Sequence, residues 1–316
     1  MARAIANACG DIDLHREALP VVSSDDQTRS RILSRMTGSL KRRFSDTMAS
    51  ARRPPLIRSA NLSESQFLAS GRENDLNELV SRRREVLNTF AVGHPTRPIH
   101  LLKLAWALSE RHKKIDKPQD LEECIILCHE GLTAVTVDDP DRHTHLSRLT
   151  WALGQRYKKS ENLDDLEECI TLCGEGLAAV TIDHPVRPTH LSRLAWALGE
   201  RYRTYQNPQD IEESITLRRE GLAAFTVDDP VRSHHLTNLA RILEERYNKS
   251  RHPQDLEEYI RLHREGLAAI TADDPAYPIH LSKLARALRE RYEKSENPRD
   301  LEDWISLRQE RQFLSE

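Results

Sequence analysis

Aromatic side chains make up only 5% of this 316-residue chain, and nowhere do 18 apolar residues follow one another. The second deficit leaves no candidate membrane-spanning helix. Met1 to Gly10 also lacks the charged-then-apolar order of a secretory signal. Five cysteines, Cys9, Cys124, Cys128, Cys169 and Cys173, are too few and too regularly placed for a secreted disulfide scaffold. No stretch alternates with period two, so no strand is expected. The phosphate-loop, zinc-protease and nucleophile-elbow patterns are all missing, so an enzyme is the least supported reading, with no cofactor, metal or catalytic residue to name. These deficits describe a helical, reduced, cytoplasmic protein with no membrane partner.

Charge is plentiful, at 31% of residues, and the net value of -3 hides an asymmetry. Residues 1–70 hold 11 Lys/Arg against 7 Asp/Glu, so the remainder is distinctly acidic. An acidic body argues against a specific nucleic-acid partner.

A 45-residue phrase then repeats without insertion or deletion. Asp75, Asp120, Asp165, Asp210, Asp255 and Asp300 open it, five of them as Asp-(Leu/Ile)-Glu-(Glu/Asp). His100, His145, His190, His235 and His280 mark its middle. A fixed period of this size means stacked supersecondary units, each touching only its neighbours, and such arrays display surfaces. Within residues 98–142, Leu101, Leu104, Ala105 and Leu108 share one helical face, and Leu121, Cys124, Ile125, Cys128, Leu132 and Val135 share another. Ile115 to Gln119 reads as the linker, with Asp120 and Glu123 resembling a capping box. Small residues stand in register at Ala105, Thr150, Ala195, Ala240 and Ala285, and again at Gly131, Gly176, Gly221 and Gly266. Each glycine costs a helix about 1 kcal/mol relative to alanine. Close packing explains four in register better than hinges do, because their neighbours are strong helix formers.

Leu191-Ser-Arg-Leu-Ala-Trp-Ala-Leu198 and Asp255-Leu-Glu-Glu-Tyr-Ile-Arg-Leu-His-Arg-Glu-Gly-Leu267 resemble the two helices of a tetratricopeptide repeat. The long period and the Asp-Leu-Glu-Glu phrase look like the arrays common in filamentous fungi, often found beside CHAT or nucleotide-binding switch domains. Neither domain is recognisable here. The resemblance covers residues 75–316 and implies an all-α, right-handed superhelix of about five and a half helix-turn-helix units. On period alone, a HEAT-like or armadillo-like solenoid is the alternative. The column that is usually alanine in the family's second helix reads Leu79, Cys124, Cys169, Ser214, Tyr259 and Trp304, and Arg311 replaces the last glycine.

In that fold the first helix lines the concave groove. One of its columns reads Lys103, Arg148, Arg193, Asn238 and Lys283; three residues on, another reads Trp106, Trp151, Trp196, Arg241 and Arg286. Residues three apart sit side by side. The groove would then pair an aromatic stripe with a basic one and suit an extended, acidic and apolar peptide. The expected contacts are Lys103, Trp106, Arg148, Trp151, Arg193, Trp196, Arg241 and Arg286. Packing of the tryptophans between successive first helices is the competing reading. The paired cysteines, four residues apart, read as buried thiols rather than zinc ligands. The histidine column reads as helix-entry hydrogen bonding. Arg111, Arg156, Arg201, Arg246 and Arg291 are expected to meet Glu85, Glu130, Glu175, Glu220, Glu265 and Glu310 in a structural ladder.

Residues 1–70 read as a largely disordered basic tail, with a relic helix at 11–19 and the array beginning at residue 71. Ser45 sits in a basophilic-kinase pattern, and Lys41 to Arg53 holds a weak nuclear signal. The expected role is a protein-interaction scaffold. The alternative is a regulatory arm for a caspase-like protease or immune-type switch carried on another chain or lost. Trp304, Phe313 and Leu314 leave self-association through the array end open.

Overall fold

A computed structural model describes residues 34, 37, 50 and 52–313, apart from 227, 228, 230 and 275. The relic helix at 11–19, Ser45, Lys41 to Arg43 and Leu314 lie outside them, as does the side chain of Phe313. The helices are α1 (residues 52–70), α2 (Glu73–Leu87), α3 (Arg97–Ile115), α4 (Pro118–Ala134), α5 (Arg142–Ser160) and α6 (Leu163–Ala178). They continue as α7 (Arg187–Tyr205), α8 (Pro208–Ala223), α9 (Arg232–Ser250), α10 (Pro253–Ala268), α11 (Tyr277–Ser295) and α12 (Pro298–Phe313). No strand occurs among the described residues. The chain forms two compact units, Met1–Arg148 and Leu149–Glu316, the division falling within α5. In the first, α3 packs on α2 and α4; in the second, successive helices from α6 to α12 pack on one another.

The apolar stripes read from the sequence form the cores. Leu101, Leu104, Ala105, Leu108, Leu121, Cys124 and Cys128 are buried in the first unit. Leu236, Leu239, Leu243, Tyr259 and Ile260 belong to one cluster of the second. The array also starts earlier than the repeat phrase does. Residues 52–70 form a helix whose Ala60 packs with Val86 and Phe90, and whose Glu64 and Asn61 engage the buried Arg83. Its sequence lacks the opening phrase, so periodicity alone placed it in the tail.

Within each pair the turn is tighter than the sequence suggested. The first helices end on Asp116, Glu161, Gln206, Arg251 and Glu296, all in the left-handed region at φ 50–59°, and the next helix starts two residues later. The opening aspartate is therefore not a cap. Asn162, Asn207 and Asn297 cap three of these helices by accepting from the backbone N–H of Asp164, Gln209 and Arg299. The aspartate sits inside the first turn, buried, where the helix dipole favours its charge.

Its partner corrects the expected ladder. Each of the five arginines grips the aspartate of its own pair with two hydrogen bonds. Arg111 donates to Asp120 at 2.6 and 2.7 Å, Arg156 to Asp165 at 2.8 and 2.6 Å, and Arg201 to Asp210 at 3.0 and 2.8 Å. Arg246 with Asp255 and Arg291 with Asp300 repeat the arrangement. The glutamate column serves the other end of the pair. Glu130, Glu220 and Glu265 accept from Arg97, Arg187 and Arg232, which open the first helices. A bidentate fork needs a carboxylate close to the turn, and the aspartate is nine residues away along the chain where the glutamate is nineteen.

The histidine column explains the glycines. A Cβ on Gly176 would lie 2.6 Å from Cε1 of His190, and the rings of His145 and His280 crowd Gly131 and Gly266 still more closely. The fourth glycine is different, since His235 stands 3.9 Å from a Cβ at Gly221. There the ring packs on Phe225 instead, centroid to centroid at 4.4 Å. His100 does the same on Phe90, also at 4.4 Å, and the glycine position of that unit is Val86. Phenylalanine four residues past the glycine position draws the ring away; Val135, Val180 and Ile270 stand there in the other units and leave the ring over glycine. The histidines are thus packing residues, with both ring nitrogens of His145 unpartnered and buried.

Burial holds His145 and His100 at pKa values of about 4, and His263, facing His280, at about 3. These folded values lie below the free imidazole, so the unfolded chain takes up protons first as pH falls. Stability is fully present above about pH 6.5 and declines toward pH 4, by on the order of 3 kcal/mol for His145 alone. Urea midpoints measured from pH 7.5 to 4.5 should fall steadily; a flat profile would show that the rings accept protons in place.

Candidate functional site

The two first-helix columns divide among several environments. In the first unit Lys103 is half-buried. Trp106 meets Phe67 edge-on at 6.2 Å, and Arg148 donates to the hydroxyl of Ser109 at 2.8 Å.

In the second unit Trp151, Arg193, Trp196 and Arg241 come together around one cavity of about 370 Å³, with Lys158, Arg218, His234 and Asn238 in its wall. Trp196 leans back on α5, edge-on to Tyr157 at 6.0 Å and beneath the ammonium of Lys158 at 5.3 Å. A Cβ on Gly154 would touch its ring at 3.0 Å, which makes Gly154 the seat of the indole. The packing between successive first helices that competes with the groove reading is present at Trp196. Trp196 packs against the preceding first helix while its half-buried ring still lines the cavity. Arg193 donates to the hydroxyl of Thr150 at 3.1 Å, which orients it.

Arg286 stands apart. It shares Glu244 with Lys283, which donates to that carboxylate at 3.0 Å. It lines a separate cavity of about 260 Å³ with Tyr259, Tyr247 and Glu290. The pair of cations holds the Glu244 carboxyl below its usual range despite burial. The basic end read from the sequence is thus neutralised at Arg286 by a glutamate on the first helix of the preceding pair, which those two columns do not contain. Trp304 is also less available than expected for an array end. It is half-buried against the core of the second unit, with the guanidinium groups of Arg289 and Arg308 5.7 and 5.8 Å from its ring.

Arg218, a further wall residue, lies on a second helix, outside the two first-helix columns. Its position across the units reads Arg83, Cys128, Cys173, Arg218, His263 and Arg308, an irregularity that was visible in the sequence. The four array cysteines are buried and free, and Cys128 is raised by its contact with Cys124 and by burial. No group of His, Cys, Asp or Glu among the described residues could hold a metal ion, and no helix among them is long and apolar enough to cross a membrane.

Among solved structures, BtubC (BKLC) from P. vanneervenii matches with a TM-score of 0.54 at 14% identity, covering 77% of this chain and 89% of that one. The fold is TPR-like. Nearly identical TPR-like repeats from Podosopora anserina match at 18% identity with a TM-score of 0.46, over 68% of this chain and 96% of that one. No protein-family model and no curated protein matches the sequence.

Proposed function

We propose that the protein is a protein-interaction scaffold that binds an extended acidic and apolar peptide along its first-helix faces. The observation that carries this reading is the cavity where Trp151 and Trp196 adjoin Arg193 and Arg241. Indole faces supply contact area at low entropic cost, and arginines supply charge complementarity and register. TPR-like helix pairs present such a surface without needing a closed core. The chemistry of the wall favours a peptide over a nucleic acid, because the surrounding array is acidic.

Full-length protein is the bait for the first test, beside a matched bait carrying Trp151→Ala, Arg193→Glu and Arg241→Glu, checked for helicity by circular dichroism. Proteins captured by the first bait should be lost from the second, and their shared segments should be acidic with apolar interruptions. Identical captures from both baits would move the function to other surfaces.

A further inference from the structure

Arg218 makes no direct ion pair; the acids near enough to act on it, Glu200 and Glu245, are each hydrogen-bonded by Arg203. The Arg218 side chain is buried, with 6% of its surface exposed. Its Nη2 donates to the Ala195 carbonyl at 3.3 Å, and its buried Nε has no partner. Among the described residues no carboxylate lies within 4 Å of Arg218 or of Arg241. Burying a guanidinium this way is costly unless something pairs with it. Burial, reinforced by Arg241 and Arg203 and only partly offset by Glu200 and Glu245, pulls the Arg218 guanidinium down to about 10.

The equivalent arginine one array end away shows what is missing. Arg83 is also buried, and it is held by Asn61 and Glu64 on the preceding first helix. Moved along by three repeats, those two positions are Trp196 and Gly199. The acid has become glycine and the amide has become a cavity-lining indole. The cavity wall contains Lys158, Arg193, Arg218 and Arg241 and no aspartate or glutamate. The acid position reads Glu64, Ser109, Gly154, Gly199 and Glu244 along the first helices, so Arg218, unlike Arg83, is a buried arginine in a unit that lacks that acid.

We propose that this cavity is an oxyanion pocket in which Arg218 and Arg241 hold a phosphoryl group carried on a peptide side chain. The proposal rests on the peptide-binding reading above and specifies its ligand. Arg218 and Arg241, in a wall without aspartate or glutamate, suit a group of about -1.5 to -2 charge with three acceptor oxygens better than a single carboxylate. Trp151 and Trp196 would flank the peptide on either side of that group.

Thermal midpoints of the full chain in inorganic phosphate and in chloride at matched ionic strength provide the test. The wild type should melt higher in phosphate. Arg218→Met should lose that response while melting no lower in chloride, since it removes a buried unpaired charge. Gly199→Glu, which restores the acid found at Glu64, should also lose it. No phosphate response in the wild type, or the same response in Arg218→Met, overturns the pocket, and the methionine variant decides even if Gly199→Glu fails to fold. Labelled phosphoserine, glutamate and serine versions of one peptide library then identify the source. Phosphoserine should bind on the order of tenfold tighter than glutamate, a difference near 1.4 kcal/mol; equal binding of glutamate overturns the phosphoryl assignment. Peptide binding unaffected by Arg218→Met overturns the pocket but leaves the scaffold reading standing. A phosphate response with no peptide binding removes the peptide source and the scaffold reading together.

Discussion

Replacing Gly176 by alanine should destabilise the second unit by about 1–3 kcal/mol, the range for overpacking a filled interior, although alanine is the better helix former. The added Cβ meets the ring of His190 at 2.6 Å, and that ring is fully buried with nowhere to move. Gly221→Ala, one repeat on, should do the opposite. The nearest atoms to a Cβ there lie 3.9 Å away, so the helix-propensity gain of about 1 kcal/mol is retained. Paired urea unfolding curves decide it. Adding Phe225→Val to Gly221→Ala should reverse the gain, because the histidine would lose its aromatic seat and return over the alanine. Equal effects from the two glycine substitutions would mean the histidine packing is not what fixes the column.

Asp120→Ala should cost about 3–5 kcal/mol, the usual penalty for stranding one member of a buried ion pair. Asp120 and its partner Arg111 are both almost fully buried, with side chains 2% and 7% exposed. Asp303→Ala provides the contrast, since its pairing with Arg264 leaves both side chains 49% exposed, and exposed pairs contribute about 0–1 kcal/mol. Combining Asp120→Leu with Arg111→Met should recover most of the loss, because no charge is then left unpaired. Denaturation followed separately for each unit is the appropriate readout, since repeat arrays need not unfold in one step. A small loss from Asp120→Ala would place the stability of the pair in its leucine stripe alone.

The helices, their pairing and the core stripes were legible because the 45-residue period samples the same physics five times over. Leu101 and Leu146 are buried for one reason, and a column makes that reason visible. Partner assignments were less legible. Uniformity showed that the Arg111 column had a structural duty, but not whether aspartate or glutamate met it, since both columns are equally regular. Three-dimensional reach settled that in favour of aspartate. The histidine column was likewise recognised as structural, while its contact with the glycines depended on which ring face Phe90 or Phe225 captured. The cavity was half legible: Trp151, Arg193, Trp196 and Arg241 were read from two first-helix columns, whereas Arg218 required a comparison across second helices. Arg286 was misplaced for the converse reason, since Glu244 neutralises it from a helix that the two columns ignore.

The wall formed by Trp151, Arg193, Trp196 and Arg241 is the surface proposed to select a peptide. The most direct measurement is selection from an unbiased library of displayed linear peptides, some phosphorylated, on the wild type and on the Trp151→Ala, Arg193→Glu, Arg241→Glu variant. The expected result is a set of extended sequences enriched in acidic or phosphorylated positions beside apolar ones, all lost from the variant. Enrichment of basic sequences by the wild type, or of the same sequences by both proteins, would contradict it.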